Sequence, residues 1–411
     1  MKRIAVLVLG LLLILSCRAT AQIRESAAPS PLAIETATAT QPPVVPPEFE
    51  DLYRLLGQTL DEFGAQLGAC EPSPDRPIFG AELLVASGNR GEKLLEPATF
   101  ETVQLSLDRF EELGLRGVTV QISTPLLVPD YPHNEDYARF FKQVAREVHR
   151  RGMTLLVETG PVFPDPQLSN VRYDFSTFDL GSYFAARKGE IVRIAREVEP
   201  DYLAIGQEPS TEAMLTGLSI SPPDYLAFVQ GTLSSLDAYP NTRVGAGAGT
   251  WENPDYLRGF IEDTDLDFVD LHIYPIVGPR LDYLQVTLDT AALARAKGKR
   301  SVIGEAWLYK AFPSEIRTIH YGDIYARDAF SFWAPLDADF VRMVACLARS
   351  QDLDFISFFW SSFFFAYLDY DQTPTDLTHA EQMRALNQAV YANMLGGVFS
   401  PTGLAYAELL K

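Results

Sequence analysis

Segments with the apolar pattern of a β-strand alternate with segments of helical periodicity from about residue 78 to the end of the 411-residue chain. Alternation of this kind predicts parallel strands joined by helices, either in a (β/α)8 barrel or in an open doubly wound sheet. A nucleotide-binding open sheet would carry a glycine-rich phosphate loop after its first strand, and this chain has none there. The pattern therefore favours a (β/α)8 TIM barrel. Its eight strands are predicted at residues 79–85, 117–122, 153–158, 202–206, 243–248, 266–274, 301–305 and 354–360.

Two of these strands end in the same way, with a glycine just before a glutamate. Glu208 follows Gly206 after one glutamine, and Glu305 follows Gly304 directly. A carboxylate where an apolar strand ends is costly unless it is paired or used, so a capping or salt-bridged glutamate is the structural alternative. In a barrel the carboxyl ends of all strands meet at one rim. Two glutamates at that rim predict a pair that acts as general acid/base and nucleophile.

Further polar and aromatic side chains stand at the predicted strand ends, and a purely structural barrel needs far fewer. The loop that follows Glu305 is also rich in aromatic rings, between Tyr309 and Trp333. Sugars present apolar C–H faces that stack on such rings, so this rim suits a glycan cleft. A loop with a small core of its own would show the same composition. The set at the strand ends comprises Glu82, Gln121, Glu158, Gln207, Trp251, His272, Tyr274, Trp307 and Trp360.

Four motifs resemble, in order and spacing, those of the clan A retaining glycoside hydrolases, a superfamily of TIM-barrel enzymes that includes cellulases and endo-galactanases. They are Gly206-Gln207-Glu208-Pro209, Leu271-His272-Ile273-Tyr274-Pro275, Gly304-Glu305-Ala306-Trp307 and Phe359-Trp360. The resemblance covers the chain from about residue 78 to its C-terminus. It implies hydrolysis of β-glycosidic bonds by double displacement, with Glu208 as proton donor and later base, and Glu305 as nucleophile.

The resemblance also implies roles for side chains around the two glutamates. Tyr274 would hydrogen-bond Glu305 and keep it ionised. His272 would tune the proton affinity of either carboxylate, and Trp360 would form the floor beneath the sugar at the cleavage point. Packing inside the barrel is the alternative for the last two, and a structural role is the alternative for Glu82 and Glu158. The predicted substrate contacts are Gln207, His272, Tyr274, Trp307, Trp360, Glu82 and Glu158.

Gln207 departs from the family pattern, which places asparagine before the acid/base glutamate, where it bonds the sugar 2-hydroxyl. The longer side chain keeps the amide but moves it by about one methylene. This shift puts in question the contact with the 2-hydroxyl, which is worth several kcal/mol in the transition state. A catalytically weak or inactive carbohydrate-binding lipoprotein on a glycosidase-like barrel is therefore the alternative function. Against it stand Glu208 and Glu305, because a binding module has little use for two converging carboxylates.

Charge and composition narrow the choice of partners. The formal net charge of −20 makes nucleic acid an unlikely ligand, because phosphate binding needs a basic surface. Neither the cysteine spacing nor the five histidines predict a metal site, and no cofactor is implied. The expected partner is a polysaccharide or oligosaccharide substrate. Its sugar and linkage do not follow from the sequence.

The N-terminus predicts export. A basic start and an apolar run form a probable signal peptide over residues 1–17, ending in a lipoprotein-like box at Cys17, with an ordinary cleavage site after Ala21 as the alternative. Contact with a membrane is expected only through a lipid on Cys17, and the location is the cell surface, the periplasm or the medium. Residues 18–47 predict a disordered linker, 48–77 a helical extension and 78–411 the catalytic barrel. Cys70 and Cys346 are either bridged or free thiols.

Overall fold

A computed structural model describes residues 43–68, 77–165, 168–277, 283–316, 318–374 and 376–411 of the chain. The predictions for residues 1–17, for lipidation at Cys17, for most of the linker and for Cys70 lie outside these ranges. Eight parallel strands pair in sequence order, and the first also pairs with the last, which closes a barrel. The predicted (β/α)8 fold is confirmed. The strands are β1 Ile78–Glu82, β2 Gly117–Thr124, β3 Thr154–Pro161, β4 Tyr202–Ala204, β5 Arg243–Gly249, β6 Phe268–Ile273, β7 Arg300–Ala306 and β8 Phe355–Phe358.

Helices of the described residues connect the strands and cover the barrel. Several begin with a proline at the first turn, where its missing N–H costs no helical hydrogen bond. They are α1 Glu50–Leu67, α2 Pro97–Leu113, α3 Asn134–Arg150, α4 Leu180–Glu197, α5 Pro209–Thr216, α6 Pro222–Leu233, α7 Pro254–Glu262, α8 Tyr283–Ala296, α9 Tyr321–Asp328, α10 Ala334–Ser350, α11 His379–Gly396 and α12 Pro401–Leu409. Short 3-10 helices lie at Leu84–Ala86, Gly88–Leu95, Phe175–Thr177, Ser331–Trp333 and Ser361–Phe364.

The strands are buried on both faces, which explains why they read as nearly continuous apolar runs. A cluster of strand residues fills part of the barrel interior and includes Tyr202, Phe268 and Phe355. The glycine-rich β5 makes room for it, because a Cβ at Gly245 would lie 2.3 Å from the Phe268 ring. The rest of the interior holds buried polar side chains, and these form the candidate site.

Helix α1 corresponds to the helical pattern that precedes the barrel. Its entry is fixed by aromatic contacts, with Phe49 stacked on Phe332 and Tyr53 stacked on Trp333 at centroid distances of 5.4 and 5.6 Å. Cys346 in α10 is disulfide-bonded, so the alternative of a free thiol is wrong for this residue. In the described part of the chain, every helix is too short or too polar to cross a membrane.

Candidate active site

Glu208 and Glu305 lie at the same end of the barrel, although 96 residues separate them in the sequence. Glu305 belongs to β7, and Glu208 caps the N-terminus of α5 just after β4. Both reach one imidazole nitrogen: His272 Nδ1 is 2.7 Å from Glu208 Oε1 and 3.4 Å from Glu305 Oε2. The two facing carboxyl oxygens are therefore at most about 6 Å apart.

His272 is the centre of this arrangement and is fully buried in β6. Its second nitrogen, Nε2, is 3.3 Å from Glu158 Oε1 and 3.7 Å from Asp270 Oδ2. Burial lowers the pKa of His272, but the charges of Glu305 and Glu158 outweigh it and leave the pKa well above its usual value. A protonated imidazole satisfies the contacts at both nitrogens, since each N–H can then donate to a neighbouring carboxyl oxygen.

Glu305 receives further hydrogen bonds from two predicted partners. Tyr274 Oη donates to Oε2 at 2.6 Å, and Gln207 Nε2 donates to Oε1 at 3.4 Å. Burial raises the pKa of Glu305 well above its usual range, and the charges of Glu158 and Glu208 add to this effect. The His272 cation and the Tyr274 hydroxyl act in the opposite direction, since both stabilise the carboxylate. Nucleophilic attack requires Glu305 to be ionised, which is the form that these two contacts favour.

Three further carboxyl groups lie behind the pair, and all are fully buried. Burial raises the pKa of Glu158 to about 8, although the charge of His272 lowers it. Burial together with the charge of Glu305 raises the pKa of Glu82 well above its usual range. Asp270 accepts the Gly304 N–H at 2.8 Å and so fixes the backbone next to the nucleophile. Side chains with no exposed surface cannot meet a sugar directly in this conformation, so for Glu82 and Glu158 the geometry favours the structural alternative.

A buried ion pair supports the loop that carries Glu208. Arg187 from α4 is 2.6 Å from Glu212 of α5 and donates to the Ile205 and Thr159 carbonyls at 2.8 and 3.1 Å. The hydroxyls of two buried tyrosines also donate to Glu212. One of them, that of Tyr225, would lie 1.7 Å from a Cβ at position 206, so only glycine fits just before the acid/base motif.

Glu252, in the loop after β5, is a site residue that sequence reasoning missed. It is buried, and its two carboxyl oxygens accept the Ser210 and Gly249 N–H groups at 2.5 and 2.8 Å. The carboxylate thereby ties the β5 loop to the first turn of α5, immediately behind Glu208. Its neighbour Trp251 gave the only signal in the sequence, as an aromatic residue at a strand end.

We expect Glu252→Ala to lower both stability and turnover. Two N–H groups would lose their acceptor, at a cost of about 1–3 kcal/mol for the buried one at Gly249, and the start of α5 would be free to move. Denaturant titration and kcat measurements on the same preparations test this. Glu101→Ala, which removes an exposed glutamate of α2, is the control and should change neither quantity. An unchanged Glu252→Ala protein would contradict the positioning role.

The two predicted tryptophans lie in different surroundings. Trp360 is half-buried directly after β8 and stacks on Tyr325 at a centroid distance of 3.8 Å and an angle of 16°. Trp307 has no exposed surface, and its ring stacks on Phe363 at 5.4 Å. A covered ring offers no face to a sugar, so the direct contact predicted for Trp307 is not supported. Its place is in the packing beneath the rim.

One oxygen or nitrogen each from Glu158, His272 and Glu305 lies within 4.8 Å of the others, a spacing at which a metal ion can be held. However, both imidazole nitrogens already contact carboxylates at hydrogen-bonding distance. A metal would have to displace one of these contacts, whereas a protonated imidazole satisfies them. The arrangement therefore fits an ion-pair cluster better than a metal centre.

Comparisons with known proteins show no family for this chain. No protein-family model and no curated protein matches the chain. Among solved structures, the exo-β-1,4-mannosidase Op5Man5 from Opitutaceae bacterium strain TAV5 has a TM-score of 0.49 and 13% identity, covering 83% of this chain and 62% of that enzyme. The chain thus spans less than two thirds of the length of that mannosidase.

Two further neighbours are also glycosidases by name. The β-glycosidase BGL167 has a TM-score of 0.45 and 14% identity, over 71% of this chain and 87% of that one. An endocellulase from Pyrococcus horikoshii has a TM-score of 0.45 and 13% identity, over 76% and 92% of the two chains. Likeness at this level carries no argument about this chain, so the activity has to be argued from the site.

Buried carboxyl groups make the stability of this protein fall as pH rises. Burial, together with the nearby charge of Glu208, raises the pKa of Glu252 to about 7. Burial also raises the pKa of Asp328 to about 7, although the charge of Lys310 lowers it. Carboxyls of an unfolded chain titrate near 4, so between about pH 4.5 and 7 the folded protein binds more protons. The free energy of unfolding must then decrease through this window.

We therefore expect a higher Tm at pH 5 than at pH 7.5 when the two are compared by calorimetry at constant ionic strength. Asp328→Asn removes one of the titrating groups and should make the dependence shallower. A Tm that rises between pH 5 and pH 7.5 would contradict this account.

Proposed function

We propose that the protein is a retaining glycoside hydrolase that cleaves β-glycosidic bonds of a polysaccharide or oligosaccharide without a cofactor. The observation that carries this proposal is the placement of Glu208 and Glu305 on one nitrogen of His272, which limits the separation of their oxygens to about 6 Å. Retaining enzymes need about 5–5.5 Å between the carboxyl groups, so that the nucleophile reaches the anomeric carbon with no water between.

The two glutamates have different surroundings, and these match two roles. Glu305 is 5% exposed and is aimed by Tyr274 and Gln207, as a nucleophile must be. Glu208 is 14% exposed, so it can reach a leaving group that arrives from solvent. In the first step Glu305 forms a bond to the anomeric carbon while the glycosidic bond breaks and Glu208 gives its proton to the leaving oxygen. In the second, water attacks the anomeric carbon, Glu208 takes its proton, and the bond to Glu305 breaks.

Gln207 supplies a polar group for the sugar. Its Oε1 is buried without a hydrogen-bond partner, while Nε2 faces Glu305. A buried acceptor without a partner is unfavourable, and a sugar hydroxyl next to the nucleophile would satisfy it. The substitution of glutamine for the family's asparagine is therefore compatible with a substrate contact, at a longer reach.

The test is hydrolysis of a panel of aryl β-glycosides and β-linked polysaccharides, with NMR detection of the first product. We expect a product with retained anomeric configuration. An inverted first product would exclude double displacement. Binding without hydrolysis of any member would favour the alternative, a carbohydrate-binding protein on a glycosidase-like barrel.

Glu208→Ala provides a separate prediction on the acid/base. Without a proton donor, substrates with poor leaving groups should lose about a hundred- to ten-thousandfold in kcat. Activated aryl glycosides such as dinitrophenyl glycosides need little protonation and should lose far less in the first step. Kinetics on a series of leaving groups measures this, and an equal loss on all of them would remove Glu208 from the role.

We also propose export, with a lipid anchor at Cys17. The basic, apolar and cysteine-containing order of residues 1–17 supports it. Fractionation of expressing bacteria tests the proposal: the protein should follow the membranes, and Cys17→Ala should release it. Cytoplasmic recovery of the full chain would contradict export.

A further inference from the structure

A groove of about 630 Å³ opens on the described surface beside the proposed active site. This volume lies within the range of about 300–1,000 Å³ that is typical of ligand sites. Its walls come from chain segments that follow β1, β3, β7 and β8, namely Lys93, Leu168–Asn170, α9 and α11. Because these segments follow the carboxyl ends of strands, the groove lies on the same face of the barrel as Glu208 and Glu305.

A continuous series of aromatic rings joins the groove to the proposed nucleophile. Tyr274, whose hydroxyl donates to Glu305, contacts the ring of Phe359 at 5.8 Å. Phe359 contacts Trp360 at 4.6 Å, and Trp360 stacks on Tyr325 at 3.8 Å. Tyr325 in turn lines the groove. Packed rings therefore link one wall of the groove to the proposed nucleophile, on the same face of the barrel.

The α11 wall of the groove carries side chains suited to sugars. Arg384, Asn387, Gln388 and Tyr391 have the spacing i, i+3, i+4 and i+7, which places them along one face of the helix. Tyr391 is 48% exposed, so part of its ring is accessible from the solvent. Its face can stack on the apolar C–H face of a sugar, and the two amides can donate to and accept from hydroxyl groups.

The opposite wall is held in place before any ligand arrives. The Asn170 N–H donates to the Asn89 carbonyl at 2.8 Å, and the Ser169 hydroxyl donates to the same carbonyl at 3.1 Å. At the start of α11, His379 is 3.3 Å from Asp323 of α9, which ties two of the lining helices together. A preformed groove binds without an ordering cost, as expected of a ligand site.

We propose that this groove binds the sugar units that flank the cleaved one, so that the preferred substrate is a β-linked chain rather than a disaccharide or a single glycoside. This inference rests on the proposed function and deepens it. The volume accommodates about two or three sugar units, and Tyr391 is the ring on which one of them stacks.

Tyr391→Ala tests the proposal, with Leu395→Ala as its matched control. Leu395 lies one turn further along α11, is 62% exposed and does not line the groove. The kcat/KM values are measured on an aryl β-monoglycoside and on a hexasaccharide of the same sugar. We expect Tyr391→Ala to lower kcat/KM about tenfold on the hexasaccharide and to leave the monoglycoside unchanged, while Leu395→Ala changes neither.

Two results would overturn the groove as a binding site: an unchanged kcat/KM of Tyr391→Ala on the hexasaccharide, or an equal loss on both substrates. Binding distinguishes a failure of this inference from a failure of the proposed function. If the protein hydrolyses nothing, NMR titration with hexasaccharides of β-1,4-linked glucose, mannose and galactose still reports on the groove. Binding by the wild type that Tyr391→Ala weakens supports the inference, whereas no binding, or binding that Tyr391→Ala leaves intact, refutes it.

Discussion

Glu305→Ala is expected to abolish turnover, with a loss in kcat on the order of ten-thousandfold or more, while the fold remains intact. The loss follows from removal of the carboxylate to which both Tyr274 and Gln207 donate. The fold should survive because Glu305 is one of several buried carboxyls that compete for protons around His272. Its removal takes away charge repulsion as well as one hydrogen-bond acceptor.

Azide sharpens the experiment on Glu305→Ala. A small anion in the space left by the carboxylate can attack the anomeric carbon itself, while Glu208 gives its proton to the leaving oxygen. The product would be a glycosyl azide of inverted configuration, and its detection by NMR would place the nucleophile at position 305. Glu262→Ala, which removes an exposed glutamate with only a 4.0 Å contact to Lys297, serves as the control with full activity. Full activity of Glu305→Ala on a confirmed substrate would remove the mechanism.

The largest effect on stability is expected for Arg187→Met. Arg187 is fully buried and pairs with Glu212. It also donates to the Thr159 carbonyl in β3 and to the Ile205 carbonyl just after β4. Its removal leaves Glu212 as an uncompensated buried charge, which costs about 3–5 kcal/mol. For a domain of this size that corresponds to a Tm lower by roughly 4–6 °C.

Two further variants decide whether the buried charge is the cause. Arg342→Met breaks an exposed pair with Asp339 and should cost less than about 1 kcal/mol. The double variant Arg187→Met/Glu212→Leu removes both charges and should recover much of the loss. Chemical denaturation of all three measures the free energies of unfolding. A double variant as unstable as Arg187→Met would show that packing, rather than the unpaired carboxylate, dominates.

The strand that precedes Glu208 shows how far local sequence reasoning reaches. An apolar run from Tyr202 predicts a buried strand, and β4 is there, but it ends at Ala204. The next carbonyl, that of Ile205, accepts from Arg187 instead of extending the ladder, and Tyr225 leaves no room for a side chain at Gly206. Arg187 and Tyr225 both lie in helices. Local periodicity predicts these helices but not which of their side chains contact the end of β4.

Residues that act through partners distant in the sequence could not be found from the sequence. Glu252 and Asp270 can be recognised as site residues only when the N–H groups that donate to them are known. These N–H groups belong to other segments of the chain. Trp307 and Trp360 look alike as aromatic residues near strand ends. Only packing decides that the first ring is covered by Phe363 while the second keeps an exposed part.

The sequence by itself determined the barrel and the grouping of its rim. Eight apolar runs separated by helical segments bury both faces in a parallel sheet covered by helices, and the lack of a glycine-rich phosphate loop after the first run favoured the closed barrel over an open sheet. In that sheet all carboxyl ends meet, so Glu208, His272 and Glu305 had to share one rim. The tertiary structure decided how far each side chain is buried, which carboxyl faces which donor, and where the rim opens into a groove. These are set by contacts between segments far apart in the chain, and local pattern carries no information about them.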